Sequence, residues 1–433
     1  MTETEIELDR RAPSGVKKPE RPKLLEILGP GLITGASDDD PSGIATYSQA
    51  GAQFGYGLGW TLLFTYPLMV AIQQISARIG RVTGRGIAGN LRRHYPKPVL
   101  YAMVVLLLVA NTINLGADLG AMGAALQLLI GGPTLIYVMG FAVASAALEI
   151  WARYSRYVTI LKWLSLSLFA YVATVLFVGV SWADIIAGLV PHFPGSSLTV
   201  VVAVLGTTIS PYLFFWQANI EVEEEREDPA AAPLKAKPQD GPKELERIRL
   251  DTYIGMGFSN LIALFIVWCT AATLHAHGVT DIQTSSAAAE ALRPIAGKFA
   301  FLVFSAGIIG TGILALPVLA GSAAFAVGEV FGWRVGLASK PSRAKKFYSV
   351  IAIATLAGAL LNFTPLDPVK ALFWSAVING VVAVPVMVMI MLLAAKPAVM
   401  GQFAISGALK IMGWISTAAM AAAAIAMFAT WGD

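Results

Sequence analysis

The chain has 433 residues, of which 56% are hydrophobic and 13% charged, against roughly 25% charged residues in soluble domains. That balance excludes a water-soluble globule, which could not hide so much apolar surface. The net charge of +4 is too small for a nucleic-acid footprint, and the single cysteine, Cys269, excludes an intrachain disulfide.

Residues 1–23 are polar and charged and lack the apolar core of a secretory signal, so they read as a cytoplasmic tail. From residue 24 the apolar residues come in blocks long enough to cross a bilayer, which takes about 20 residues per helix. Eleven such segments are predicted, at about 24–48, 58–78, 98–127, 132–151, 157–180, 199–219, 252–274, 298–327, 346–363, 369–395 and 407–430. Together residues 24–433 make one polytopic all-α transmembrane domain.

Span 1 is interrupted. Asp38, Asp39 and Asp40 fall near its middle, followed by Pro41, which lacks a backbone N–H, and by Gly43. Ionisable groups at bilayer depth are expensive and face a cavity or a partner. Three adjacent carboxylates cannot all stay ionised in a dry pocket, so a divalent cation or protonation must relieve them. Basic residues then set the orientation. They crowd into the tail and the loops after spans 2, 4 and 8, such as Arg81, Arg85, Arg92 and Arg93, while the alternate loops are nearly bare. This predicts a multi-pass protein of the plasma (inner) membrane, with its N-terminus in the cytoplasm and its C-terminus outside.

Span 6 is interrupted as well, at Gly206, Thr207, Thr208, Ser210 and Pro211. Spans 1 and 6 lie five apart, so two five-helix halves, about 24–180 and 199–395, would have opposite orientations, with 407–430 as an extra helix. A pair of Gly/Pro-interrupted helices at matching places points to a substrate site at the midplane. The unwound carbonyls, half-helix C-termini and carboxylates make that site a cation binder. Residues 221–250, opening with Glu221, Glu223, Glu224 and Glu225, read as a solvated cytoplasmic loop, with an acidic cation-collecting funnel as the alternative. The four histidines lie near loop ends, and His275 and His277 form only a lone His-x-His pair.

Several stretches resemble the NRAMP divalent-metal transporters. DPSGIATYSQAGAQFGYGLGW is similar to that family's first-helix signature and ARIGRVTGRGIAGNL to its stretch after helix 2. GTTISPYLF resembles its helix 6 motif and RIRLDTYIGMG the start of its helix 7. The resemblance runs from about residue 24 to 430 and implies a LeuT-like fold with the metal held between unwound helices 1 and 6. It implies metal-site roles for Asp40, Asp39, Asp38, Ser37, Gly43, Thr207 and Ser210. Asp118, at the place of an acidic residue of the family's proton pathway, Tyr212 and Asn379 are implied in supporting or proton-pathway roles.

The departures have a direction. Where the family has Asp-Pro-Gly-Asn this chain has Asp40-Pro41-Ser42-Gly43, and for Ala-x-x-Met-Pro-His it has Thr207-x-x-Ser210-Pro211-Tyr212. The family's glutamine in helix 10 is replaced by Ala376. Loss of the thioether removes the soft ligand, and oxygen ligands suit Mg²⁺, which keeps several waters. The pattern resembles the NRAMP-related magnesium transporters. It implies downhill Mg²⁺ uptake, with Mn²⁺ also accepted and no proton coupling. Asp40 is the expected direct or water-bridged ligand, with Asp38 and Asp39 as outer or entrance charges. The rival readings are a proton-coupled Mn²⁺/Fe²⁺ symporter and a carrier of an organic cation or amino acid on the same fold. An intramembrane enzyme is disfavoured because no His-Glu-x-x-His occurs. The expected partners are the metal substrate and the lipid bilayer, with no nucleic acid, resident cofactor or obligate protein partner.

Overall fold

The structure, a computed structural model, describes residues 34–35, 37–151, 168–193, 197–282, 285–337 and 339–430. The tail 1–23, the start of span 1 and residues 157–167 of span 5 lie outside these. The described residues are helical throughout, with no strand among them. The helices used below are α1 (Pro41–Phe54), α2 (Gly59–Thr83), α3 (Lys97–Ile130), α4 (Thr134–Trp151), α5 (Phe169–Phe177), α6 (Leu198–Thr208) and α7 (Pro211–Glu227). They continue with α8 (Gly241–Thr273), α9 (Ala300–Phe331), α10 (Lys345–Leu361), α11 (Pro368–Ala394) and α12 (Gly407–Ala429). Eight stretches among the described residues are long and apolar enough to cross a bilayer. Side chains such as Val105, Ile130, Ile353 and Ile425 stand more than half exposed on the outer surface, where lipid would cover them.

In such apolar sequence, proline and glycine set the helix ends. Pro41, Pro211 and Pro368 open α1, α7 and α11 in the first helical turn, where a missing N–H costs nothing. Gly84 closes α2 in the left-handed conformation at φ 64°, a geometry that glycine adopts without strain. Both expected breaks are present and short. Residues 37 and 38 are still helical, and among the described residues of span 1 the unwound ones are Asp39 and Asp40. Span 6 unwinds at Ile209 and Ser210, between α6 and α7.

Close backbone approach fixes the broken helices on unbroken ones. Gly35 and Gly51, on either side of the first break, both face α8: a methyl on Gly35 would fall 2.2 Å from the Gly255 carbonyl oxygen and one on Gly51 2.2 Å from that of Val267. Gly206 lies against α11, where a methyl would fall 2.0 Å from the Ala376 carbonyl oxygen. Such small-residue contacts are the usual way membrane helices pack, since lipid gives no hydrophobic drive between them.

One expected boundary is corrected. Residues 221–250 are not a single solvated loop: α7 continues to Glu227 and α8 begins at Gly241. Only 228–240 connects them, and it is tied down, with Leu234 N–H donating to the Arg81 carbonyl (3.2 Å) and Lys235 N–H to that of Val82 (3.2 Å). The acidic run misled because Glu221 is buried and ion-paired with Arg247, which composition does not disclose.

Gly206→Ala should lower stability by about 1–3 kcal/mol through overpacking. Gly140→Ala in α4, where a methyl meets nothing within 4 Å, should not. Thermal aggregation midpoints of the two purified variants check this.

Candidate functional site

The two breaks meet. Asp40 caps α1: its Oδ1 accepts from the Gly43 N–H (2.7 Å) and the Ser42 hydroxyl (2.8 Å). Its Oδ2 accepts from the Asn114 amide (3.1 Å) and the Tyr212 hydroxyl (3.3 Å). The same Tyr212 hydroxyl lies 3.3 Å from the Ser37 carbonyl oxygen, so the first turn of α7 reaches both sides of the gap in helix 1. On the other wall, Ser210 caps nothing at α7. Its hydroxyl turns back onto α6, donating to the carbonyls of Gly206 (2.7 Å) and Thr207 (2.9 Å).

Asp38 and Asp39 are treated differently. One hydroxyl, Ser259 on α8, lies 2.8 Å from Asp38 Oδ2 and 3.3 Å from Asp39 Oδ1. A hydroxyl has a single proton to give. Asp38 Oδ1 and Asp39 Oδ2 have no hydrogen-bond partner, and the three aspartates are at most 1% exposed. Among the described residues no lysine, arginine or histidine pairs with them. Asp118 is also fully buried, near the Ser42 backbone amide and the Asp40 charge.

The expected residues therefore converge, but in altered roles. Asp38 and Asp39 are not entrance charges, because helix 1 stays wound to residue 38 and carries them inside. The four donors on Asp40 occupy its oxygens, whereas Asp38 and Asp39 each keep one open carboxylate oxygen and Asp118 keeps both. Gly43 adjoins the gap: a Cβ there would lie 3.1 Å from the Asp38 carbonyl oxygen, 3.3 Å from Thr207 Oγ1 and 3.3 Å from the Tyr47 ring. Asn379 in α11 is 1% exposed with neither amide atom hydrogen-bonded. Among the described residues no three His, Cys, Asp or Glu side chains form a ready-made metal cage, so any ion here must rely on hydroxyls, carbonyls and retained water. His275 and His277 are separate: each Nδ1 contacts a different backbone carbonyl, of Ala52 (2.8 Å) and Thr273 (2.6 Å).

Ser259 and Asn114 were not singled out from sequence. Both left a signal. Asn111, Asn114 and Asp118 make a polar stripe at spacings of three and four along an otherwise apolar helix. Ser259 with Asn260 interrupts the apolar run of span 7.

Outward of the site, Gln49 holds the loop before residue 283, accepting from Ile282 N–H (2.9 Å) and donating to the Thr280 carbonyl (3.2 Å). A cavity of about 360 Å³ beside it is lined by Ala45, Gln53, Lys370 and Trp374. None of the three aspartates lines this cavity.

With this geometry in view, comparison with known proteins is specific. The family profile described as Natural resistance-associated macrophage protein-like (Nramp) matches residues 31–430. The chain is 24% identical over 425 residues to a protein of Deinococcus radiodurans named divalent metal cation transporter MntH, covering 95% of this chain and 92% of that one. The crystal structure of the Eremococcus coleocola manganese transporter is similar, with a TM-score of 0.75 at 17% identity, covering 97% of this chain and 91% of that one. The structure of MhsT in complex with L-phenylalanine matches with a TM-score of 0.59 at 13% identity, over 93% of this chain and 97% of that one. At these identities the two structures speak to the fold alone.

Gly43→Ala should leave the protein folded and monodisperse but slow Mn²⁺ uptake into proteoliposomes about tenfold, a barrier change of about 1.4 kcal/mol. Unchanged uptake would place the Asp38–Thr207 gap off the ion's route.

Proposed function

The chain belongs to the Nramp family, and from that premise we propose that it moves divalent metal cations across a membrane by alternating access, with Mg²⁺ as the main substrate and Mn²⁺ also accepted. The observation that carries this reading is the pair of unpartnered, buried carboxylate oxygens on Asp38 and Asp39, with no basic side chain among the described residues to neutralise them. Such a pair is tolerable at that depth with a positively charged guest or with protonation, and the oxygen-rich wall around it supports the guest. The metal preference follows from the donors around them. Ser259, Ser42, Tyr212, Thr207, Ser210 and the Ser37 and Asp38 carbonyls are all oxygens. Hard oxygen ligands suit Mg²⁺ and Mn²⁺, and nothing at position 210 supplies the thioether that favours softer ions.

In this reading Asp38 and Asp39 hold the ion, directly or through water. Asp40, Asn114, Tyr212 and Ser259 set their geometry. The carbonyl of Thr207, the hydroxyl of Ser210, Ser37 and the space left by Gly43 form the remaining wall. The broken helices are the paired positions of two inverted five-helix repeats, about 24–180 and 199–395, with α12 outside them. The basic loops support an N-terminus in the cytoplasm, a plasma-membrane location and a C-terminus outside. The chain acts without an obligate protein partner or resident cofactor, and not as an enzyme.

A second reading, proton-coupled Mn²⁺/Fe²⁺ symport, is favoured by one feature: Asp118, a buried carboxylate next to Asp40. The uncoupled reading rests on Tyr212, which stands where the family has a histidine and hydrogen-bonds Asp40 with a hydroxyl.

Proteoliposomes carrying Mg²⁺- and pH-sensitive dyes separate the two. Downhill Mg²⁺ entry with no internal acidification is the expected result, and Asp38→Asn/Asp39→Asn should abolish it. Strict proton influx with Mn²⁺, and no response to Mg²⁺, would overturn the magnesium reading.

A further inference from the structure

A second group of carboxylates lies along the same two helices that frame the proposed site. Glu221 is ten residues beyond Pro211 on α7, about 15 Å at 1.5 Å per residue. Arg247 is twelve residues before Ser259 on α8, about 18 Å on the same rise. The two side chains meet there, with Arg247 Nη2 2.5 Å from Glu221 Oε2. The guanidinium also reaches Glu224 Oε2 (3.7 Å) and, through Nε, Glu244 Oε2 (3.3 Å). Glu244 is in turn held by Arg81 Nε (3.1 Å).

Two features set this cluster apart from an ordinary surface network. Glu221 is wholly buried, and its other oxygen, Oε1, has no hydrogen-bond partner. A buried carboxylate normally has both oxygens satisfied. Exposure is also graded: the Glu221 side chain is 0% exposed, Arg247 23% and Glu224 46%. The guanidinium thus stands between an enclosed carboxylate and one open to water. Toward the centre, Gln217 lies one helical turn from Glu221 and its Nε2 is unpartnered, while Thr252, on the Ser259 face of α8, has an unpartnered hydroxyl. Polar groups without partners thus continue from the central site to the cluster.

We propose that Glu221 and Glu224 form an inner transit site for a divalent cation, which the Arg247 guanidinium fills when no ion is passing. An arriving ion takes the Glu221–Glu224 position, and Arg247 falls back on Glu244, its neighbour three residues earlier on its own helix. The exchange substitutes one cation for another, so the buried Glu221 is never left without a counter-charge. This inference rests on the reading of the chain as a divalent-cation transporter.

The test uses the full-length protein in detergent, with Mn²⁺ binding read from loss of the free-ion EPR signal. Wild type is expected to bind Mn²⁺, and Asp38→Asn/Asp39→Asn to lose it. Adding Arg247→Gln to that double variant should restore one bound Mn²⁺. Adding Glu221→Gln as well should abolish it again, and Arg247→Lys, which keeps a cation in place, should not restore it. No restored binding with Arg247→Gln, or restored binding that survives Glu221→Gln, overturns the inner site while leaving the central one intact. A wild-type chain that binds no Mn²⁺ overturns the transport reading and this inference with it. Glu221→Gln in the otherwise native chain gives an independent measure that does not require Arg247→Gln to fold. Uptake should slow about fivefold with central-site Mn²⁺ affinity unchanged, and an unaltered rate overturns the proposal.

Discussion

The structure turns on three buried carboxylates that no basic side chain among the described residues answers. Asp38, Asp39 and Asp40 sit at the break in helix 1 and are essentially unexposed. Burying a charge without compensation costs several kcal/mol even after relaxation. The protein meets that cost unevenly. Asp40 takes four hydrogen bonds and lies at the N-terminus of α1, where the helix dipole favours negative charge. Asp38 and Asp39 share one serine hydroxyl. The site is therefore stable at one carboxylate and electrostatically incomplete at the other two.

The packing around the break keeps it incomplete. Helix α8 is continuous from Gly241 to Thr273 and passes the interruption without bending to fill it. The half-helix before the break touches α8 at Gly255 through Gly35, and α1 touches it at Val267 and Thr270 through Gly51. Ser259 lies between these two contacts, level with the gap, and it is the residue that reaches Asp38 and Asp39. Carbonyls and glycines in direct contact leave little room for either half to slide along α8. Gly206 fixes α6 on α11 in the same manner. An unbroken helix thus backs each broken one, which is how irregular backbone survives at membrane depth.

The architecture was largely legible in the sequence because the bilayer imposes a coarse rule: apolar blocks of a set length, ended by proline or glycine. Pro41 and Pro211 marked both breaks to within a residue or two. Tertiary pairing was not legible. Glu221 reads as loop because it follows an apolar span and opens an acidic run, yet Arg247, 26 residues later, draws it into the interior. Ser259 reads as one polar residue in an apolar helix, and only the approach of α8 to helix 1 gives it two carboxylates. The different hydrogen bonding of the three aspartates was not legible either. Adjacent positions on a chain look equivalent until the last turn of helix fixes which ones face the donors.

That last point bears on what the site selects. With Asp40 committed to capping α1 and gripping Asn114 and Tyr212, its charge acts mainly as a fixed part of the wall. In the proposed reading an ion in the gap meets the open oxygens of Asp38 and Asp39, whose other oxygens share the Ser259 hydroxyl. Such a pair does not enforce tight coordination, since neither oxygen is held by a second bond. It suits an ion that keeps part of its water shell and lets those waters reach Ser259, Thr207 and the exposed carbonyls. A soft ion gains nothing in exchange for losing its waters here, because no sulfur stands in the wall where α6 gives way to α7. If the proposed site is the ion's, its selection comes from what the wall does not offer as much as from the charge it holds.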